Sequence, residues 1–274
     1  AGDNIGASTF TSFSQQDNPT IDALLEAGLD VGAVGNHEFD RGFADLSDRV
    51  IPRFGGNTDD TVTEEEIAAG LPYNLGANVY DSETGLAVLP EYAIKTVDGV
   101  DIGFIGTVTP DTATMVDPAG IEGIEFGDEL EAANRVAAQI ADETDVLILL
   151  THSGAATSDC EALAADQAGF GSLATGASAD IDAIVSAHTH QTYACDVAVD
   201  GTDGNTRPVI QASEYGKAMG LLNIDWDTQA EELISIQAST FLTAGLAEPD
   251  AEVQAIVDAA VAEASICLAH AQRI

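Results

Sequence analysis

Basic side chains are scarce in this sequence. Among 274 residues there are 8 Lys and Arg against 47 Asp and Glu, which gives a formal net charge of -39 and a pI near 4.1. Such a surface repels nucleic acid polymers and anionic membranes, so we expect neither as a partner. A high-salt habitat or an acidic secreted proteome accounts for the charge through solvation alone. An anionic substrate would therefore need a local source of positive charge, and a bound metal ion is the obvious one.

Long apolar runs are also lacking. The longest uninterrupted aliphatic run covers residues 146–150, which is far too short to span a bilayer. The sequence starts at Ala1-Gly2-Asp3 without a basic and apolar signal segment, and we expect no membrane insertion. Apolar residues make up 45% and aromatic residues 5%, which indicates a globular protein. The length allows one large α/β domain or two small ones, and no linker is long enough to separate two.

Cysteines are few and far apart. The three residues Cys160, Cys195 and Cys267 form no Cys-x-x-Cys pair, which excludes a zinc ribbon and a dithiol redox motif. Cys160 and Cys195 each follow a loop that contains histidine. A bridge between them in an oxidising compartment and a pair of free buried thiols are both compatible with the sequence. Cys267 is left over in either case.

Most histidines directly follow predicted strands in the sequence. Apolar runs at residues 31–34, 146–150 and 181–185 predict strands, and each ends in a polar loop. Helical patterns between them give the alternation that is typical of α/β proteins. Exposed turns would explain one such loop, but ligands gather where strands end in α/β folds, and several loops share the pattern. Four of the five histidines lie in these loops: His37, His152, His188 and His190.

The residues in these loops favour a metal site. Imidazole and carboxylate groups are natural ligands of transition metals, and Asp3 and Asn36 accompany the histidines. In extended backbone, His188 and His190 would point to the same side. They could then reach two metal ions about 3.5 to 4 Å apart, with Asp3 bridging the ions. Such an ion pair suits phosphoryl transfer, because it activates a water and holds phosphoryl oxygens.

The ordered motifs resemble a known family. Gly2-Asp3, Gly35-Asn36-His37-Glu38, His152 and Ala187-His188-Thr189-His190 resemble the successive signatures of calcineurin-like metallophosphoesterases. The run Gly-Asn-His-Glu-Phe-Asp at 35–40, after Gln-Asp-Asn-Pro at 16–19, resembles secreted bacterial or archaeal 5'-nucleotidases and their relatives acting on 2',3'-cyclic nucleotides or UDP-sugars. The resemblance implies a four-layer α/β/β/α sandwich of two mixed sheets. It also implies two divalent metal ions, for which Zn, Mn and Fe are equally suitable.

The resemblance also implies a role for each motif residue. Asp3 corresponds to the carboxylate that bridges the two ions. One ion is held by Asn36, His152 and His188, and the other by His190. His37 corresponds to a histidine that binds no metal and stabilises charge on the phosphate, with Asp40 keeping its ring protonated and oriented. Glu38 has a structural role in this scheme. The family is secreted, which favours a disulfide between Cys160 and Cys195.

Two parts of the family pattern are not in the sequence. An Asp-x-His signature on a strand before Asp3 would supply two ligands to the His190 ion, and a C-terminal domain would hold the nucleotide. We therefore expect a catalytic domain over residues 1–248 that lacks its first strand and this signature. We expect residues 249–274 to form a linker helix towards a substrate-binding domain. The chain as written completes one of the two metal sites, so it is expected to be a poor catalyst by itself.

These features lead to an enzyme hypothesis and an alternative. The first is a hydrolase of phosphoric esters that cleaves 5'-nucleotides, or related cyclic nucleotides and nucleotide sugars, by water attack at two metal ions. We expect it outside the cell, in the periplasm or at the cell surface. The alternative is a non-catalytic extracellular surface or assembly protein that keeps the fold with a degenerate metal site. An upstream Asp-x-His would favour the enzyme. The sequence fixes neither the metal nor the phosphoester.

Overall fold

The computed structural model describes residues 1–55 and 73–271, with side chains described as far as residue 266. Two sequence features lie outside these limits: the short helix that Glu64 to Glu66 predicts, and the side chain of Cys267. Among the described residues no helix has both the length and the apolar composition needed to cross a lipid bilayer.

A six-stranded mixed sheet forms the centre of the described structure, in the order β2-β3-β5-β6-β8-β7. Its four inner strands run parallel, and the two outer strands are antiparallel to their neighbours. The strands β9 and β10 form a separate antiparallel hairpin, and β1 pairs with β4. The strands are β1 Val79–Asp81, β2 Tyr92–Val97, β3 Val100–Val108, β4 Ile124–Phe126, β5 Val146–His152, β6 Ala183–Ser186, β7 Thr192–Ala198, β8 Thr206–Ala212, β9 Ala218–Asp227 and β10 Glu232–Leu242.

Helices cover the sheets on both sides. The longer ones begin where an acidic side chain can accept backbone N–H groups: Asp128 Oδ1 accepts from Glu131, and Asp250 Oδ1 accepts from Val253. The α-helices of the described residues are α1 Phe10–Phe13, α2 Asn18–Glu26, α3 Phe43–Asp45, α4 Ile51–Phe54, α5 Thr112–Met115, α6 Glu129–Ile140, α7 Cys160–Ala165, α8 Phe170–Gly176 and α9 Ala251–Ala271. A π turn, Leu46–Val50, joins α3 to α4, and a 3-10 turn covers Asn36–Phe39.

The layers follow from three apolar clusters. On one face of the six-stranded sheet, α6 and α8 bury residues such as Val136, Ile140 and Leu173. On the other face, Ile148 of β5 packs with Trp226 and other residues of the β9–β10 hairpin. A third cluster lies under α2, α4 and the 3-10 turn and includes Ile21, Phe39 and Phe54. The α/β sandwich is confirmed, with helices on one face of the six-stranded sheet and the β9–β10 hairpin on the other.

Most predicted elements are present with shifted ends. Asp98-Gly99 predicts the turn of a hairpin, and the structure has this hairpin between β2 and β3. The predicted strands at 146–150 and 181–185 appear as β5 and β6. The strand predicted at 31–34 was wrong in extent, because only Ala33 makes a bridge, to Leu75. The edge strand β7 was missed, although Tyr193, Cys195 and Val197 point inward in strict alternation. The helix expected within residues 249–274 is present as α9.

The register of the sheet brings two motif loops to one edge. Parallel pairing places Val108 beside His152 at the end of β5, and Thr151 beside Ser186 at the end of β6. His188 follows β6 by two residues. The carboxyl ends of these strands therefore lie next to each other, and their loops leave the sheet on the same side.

Cys160 is bonded to Cys195, which joins α7 to the edge strand β7. We expect thiol titration of the unfolded, unreduced protein to find one thiol per chain, from Cys267. Three thiols would contradict the bridge. Reduction should lower the free energy of unfolding by about 3 to 4 kcal/mol, because the bridge closes a loop with a sequence separation of 35. Urea denaturation with and without reductant measures the difference.

Arg207 of β8 is buried and holds the segment that leads into β6. Its guanidinium donates to the carbonyls of Ala177, Ser178 and Ile181 at 2.5, 2.8 and 2.9 Å. Burial lowers the pKa of Arg207 to about 10, so the group is still charged at neutral pH.

We expect Arg207→Met to lower the free energy of unfolding by about 3 kcal/mol or more, because three carbonyls, two of them buried, lose their donor. Arg53→Met is the matched control, since Arg53 forms an exposed pair with Asp22 whose loss should cost less than about 1 kcal/mol. Urea denaturation of both variants measures the effect. Equal losses would contradict the role of Arg207.

Candidate metal centre

The turn that carries Asp3 is fixed by a buried carboxylate. Glu38 accepts the backbone N–H groups of Asp3 at 2.9 Å, Asn4 at 2.7 Å and Gly35 at 2.5 Å. Burial, and next the charge of Asp3, raises the pKa of Glu38. Glu38 thus ties the N-terminal turn to the 3-10 turn that follows Gly35, which agrees with the structural role predicted for it.

Gly35 lets these two turns approach each other closely. A Cβ atom at this position would lie 2.3 Å from Oδ1 of Asp3 and 2.7 Å from Nδ1 of His152. Only glycine fits, because both neighbours are held by other bonds. Oδ1 of Asp3 also accepts the backbone N–H of His37 at 2.9 Å.

His152 presents a buried nitrogen lone pair to Asp3. Its Nδ1 lies 2.8 Å from the carbonyl oxygen of Ala1, which can only accept, so Nδ1 carries a hydrogen. In the neutral ring Nε2 is therefore an acceptor, and it lies 3.0 Å from Oδ2 of Asp3 without a hydrogen-bond partner of suitable geometry. Two acceptors at this distance need a cation between them, either a proton or a metal ion.

His188 completes a three-residue group. Its ring centroid lies 5.1 Å from that of His152, and one ligand atom from each of Asp3, His152 and His188 lies within 4.8 Å of the others. Nδ1 of His188 is 3.1 Å from Oδ1 of Asn36. Burial, and next the His152 ring, lowers the pKa of His188, which favours the neutral imidazole that binds metals.

The mixed oxygen and nitrogen donors of this group suit a transition metal. The unpartnered Nε2 of His152 is the observation that favours a bound cation. The structure therefore brings together four of the predicted metal ligands: Asp3, Asn36, His152 and His188.

His190 lies outside this group. The expectation that His188 and His190 project from extended backbone was wrong, since their φ angles are +70° and +57° in a left-handed turn. Nδ1 of His190 lies 2.6 Å from Oε2 of Glu214, and the ring is half exposed. Glu214 was missed from the sequence. It lies two residues beyond the end of β8, so the reasoning that singled out the histidines after strands would also have identified it.

His37 and Asp40 form a dyad at the edge of the same site. Nδ1 of His37 lies 2.8 Å from Oδ2 of Asp40. This hydrogen bond raises the pKa of His37, against the opposing effect of partial burial. With Nδ1 engaged by the carboxylate, Nε2 is the ring donor left for a ligand.

One cavity is lined by Asp3 and by the four histidines of the site. Its volume is about 410 Å³, within the range of small-molecule sites. Asp3, His37, His152, His188 and His190 all line it. The arrangement therefore offers a cation site and a histidine donor to one ligand.

No protein-family model matches the chain. Among curated sequences, it is 34% identical over 258 residues to Endonuclease YhcR of Bacillus subtilis, covering 94% of this chain and 20% of that protein. It is 27% identical over 252 residues to a 5'-nucleotidase of Vibrio vulnificus, covering 86% and 42%. Cell wall protein Lmo0130 of Listeria monocytogenes is 27% identical over 277 residues, with coverage of 94% and 34%. The chain thus spans less than half the length of these relatives.

Solved structures share the fold. The 5'-nucleotidase precursor of Thermus thermophilus has a TM-score of 0.69 at 22% identity, with 96% of this chain and 48% of that chain covered. The NAD nucleotidase of Haemophilus influenzae has a TM-score of 0.67 at 20% identity, with 96% and 50% covered. By sequence the chain is similar to 5'-nucleotidases, and its fold is that of the calcineurin-like phosphoesterases.

Proposed function

We propose that the chain is the catalytic part of a metal-dependent hydrolase of phosphoric esters whose substrates are 5'-nucleotides or related nucleotide esters. The observation that carries this proposal is the buried, unpartnered Nε2 of His152 facing Asp3, with His188 in reach of both. Relatives named 5'-nucleotidase support the substrate class. We further propose residues 1–248 as the catalytic domain and 249–274 as a linker towards a nucleotide-binding domain.

In this proposal Asn36, His152 and His188 would hold one divalent ion, Asp3 would be a ligand of both ions, and His190 would help to hold the second. A divalent ion bound there would polarise a phosphoryl oxygen and lower the pKa of a water molecule. The residues of the chain do the rest. Glu38 keeps Asp3 in place, and the cavity orients the ester. His37, kept protonated by Asp40, donates from Nε2 to a phosphoryl oxygen as negative charge develops on it.

Metal content and turnover test the proposal together. Among the described residues the proposal assigns only Asp3 and His190 to the second ion, so we expect one tightly bound ion per chain and a second that binds weakly. Phosphate release from 5'-mononucleotides should be slow with this chain. It should rise strongly in a longer chain that adds an upstream Asp-x-His and a C-terminal domain. If a longer chain binds two ions yet releases no phosphate from any nucleotide, cyclic nucleotide or nucleotide sugar, the hydrolase proposal is refuted.

The same assay tests whether the substrate is a mononucleotide or a nucleic acid polymer. Endonuclease YhcR is a relative over most of this chain, so single-stranded DNA belongs in the assay. The net charge of -39 opposes polymer binding, and the cavity of about 410 Å³ suits one small ester. We therefore propose mononucleotide esters as substrates and expect no cleavage of the polymer.

A second candidate is a non-catalytic surface protein, which the relative named a cell wall protein favours. Both candidates fit a location outside the cell, in the periplasm or at the cell surface, where the Cys160–Cys195 bridge would be stable. Bound metal without turnover, in the longer chain, would support this second candidate over the enzyme.

A further inference from the structure

The loop at 213–216, between β8 and β9, holds an aromatic residue, Tyr215, in an unusual backbone conformation. Ser213, Tyr215 and Gly216 have φ angles of +59°, +50° and +65°. A left-handed backbone is costly for a bulky residue such as tyrosine and persists only where the surrounding structure enforces it. Tyr215 is 69% exposed, so burial of the ring does not compensate for this cost. The residue lines the same cavity as Asp3 and His188.

Contacts on two sides hold the ring of Tyr215. Its hydroxyl donates to the carbonyl oxygen of Ala7 at 3.2 Å, which links the loop to the N-terminal turn. Nζ of Lys217 lies 5.7 Å from the ring centroid and also pairs with Glu214, the partner of His190. The ring is thus oriented before any ligand binds, and most of the residue is open to solvent.

We propose that Tyr215 is a stacking surface for the planar base of a nucleotide whose phosphate lies at the Asp3 group. The inference rests on the proposed function and adds a base-binding element within this chain. Aromatic stacking favours any nucleobase because each base has a π face. Restricting the ring in advance lowers the entropy lost on binding. A phosphate ester without a base gains nothing from Tyr215.

Binding of two probes to the metal-loaded chain tests the inference by calorimetry. Adenosine 5'-monophosphate carries the base, and ribose 5-phosphate lacks it. We expect Tyr215→Ala to weaken binding of adenosine 5'-monophosphate about 5- to 10-fold, and binding of ribose 5-phosphate less than about twofold. Tyr215→Phe should keep most of the affinity, since it retains the ring and loses only the bond to Ala7.

Phe13→Ala is the matched control. Phe13 is an exposed aromatic residue stacked by the Arg41 guanidinium at 5.6 Å, and it lies outside the cavity lining. It should change binding of neither probe. Circular dichroism establishes that each variant is folded.

The outcomes separate this inference from the hydrolase proposal. If Tyr215→Ala weakens the binding of both probes equally, or the binding of neither, Tyr215 does not stack on the base and the inference is overturned. The same holds if the unmodified chain does not bind adenosine 5'-monophosphate more tightly than ribose 5-phosphate. If base-dependent binding is lost in Tyr215→Ala but the longer chain releases no phosphate from any nucleotide, the stacking inference stands and the hydrolase proposal fails.

Discussion

Replacing Asp3 with asparagine is expected to lower metal affinity by at least about 100-fold and to abolish phosphate release with it. The substitution removes the negative charge that faces Nε2 of His152 and that is proposed to bridge the two ions. Losses of 10- to 100-fold are typical when only an outer partner of a metal ligand is removed, so loss of the ligand itself should exceed them. Metal analysis after dialysis against a defined concentration of free ion measures the change.

The stability of the same variant supplies its control. Asparagine keeps Oδ1, the acceptor of the His37 N–H, so the backbone around the site should not change. Without metal the variant should still fold like the parent, because this backbone hydrogen bond is kept. With metal at about 1,000 times the parent's Kd, the parent should gain about 4 kcal/mol, whereas the variant, whose affinity is lower by about 100-fold or more, should gain at most about 1.4 kcal/mol. A variant that retains stoichiometric metal would remove Asp3 from the proposed ligands.

Replacing His37 with alanine in a longer, active chain is expected to lower kcat by about 100- to 1,000-fold while metal content stays the same. His37 is oriented by Asp40 and lines the cavity, but it does not belong to the group formed by Asp3, His152 and His188. Its proposed contribution is therefore a donor at the phosphoryl oxygen. Steady-state kinetics with a 5'-mononucleotide, together with metal analysis, measures both quantities.

Asp40→Asn is the matched variant for this experiment. An asparagine oxygen can still accept the Nδ1 hydrogen of His37, but it lacks the charge that favours the protonated ring. We expect a smaller loss of kcat, about 10-fold, again with unchanged metal content. Loss of metal in His37→Ala would instead make His37 a ligand and contradict the assignment.

The sequence alone predicts the site residues that lie directly after a strand. His152 ends β5 and His188 follows β6, and parallel pairing brings such positions together whatever the detailed backbone. The same reasoning failed for His190, because a left-handed turn redirects its ring towards Glu214. Turn conformations of this kind depend on hydrogen bonds across the fold, such as that from Thr189 Oγ1 to the carbonyl of Ala155, and local pattern does not specify them.

Fold prediction had a similar limit. The apolar run of β5 is buried along its whole length, and its composition alone predicts the strand. The edge strand β7 was missed, although its alternation is regular, since short alternating runs with polar residues also occur in loops. At 31–34 the run is apolar, but its ladder is limited to the bridge between Ala33 and Leu75. Pairing partners, rather than the run itself, determine whether such a segment is a strand.

The hydrogen bonds of Glu38 restrict which residues position 38 can tolerate. Oε2 receives the N–H groups of Asp3 and Gly35, and Oε1 receives that of Asn4. Aspartate is one methylene too short to reach the same donors from the same backbone. Glutamine would turn an amide NH₂ towards one of them and oppose donor to donor. An N–H group that loses its acceptor would then have to find another one inside the protein. Glu38 has no proposed part in the reaction. Substitution of Glu38 should nevertheless be tolerated less well than substitution of the exposed His190.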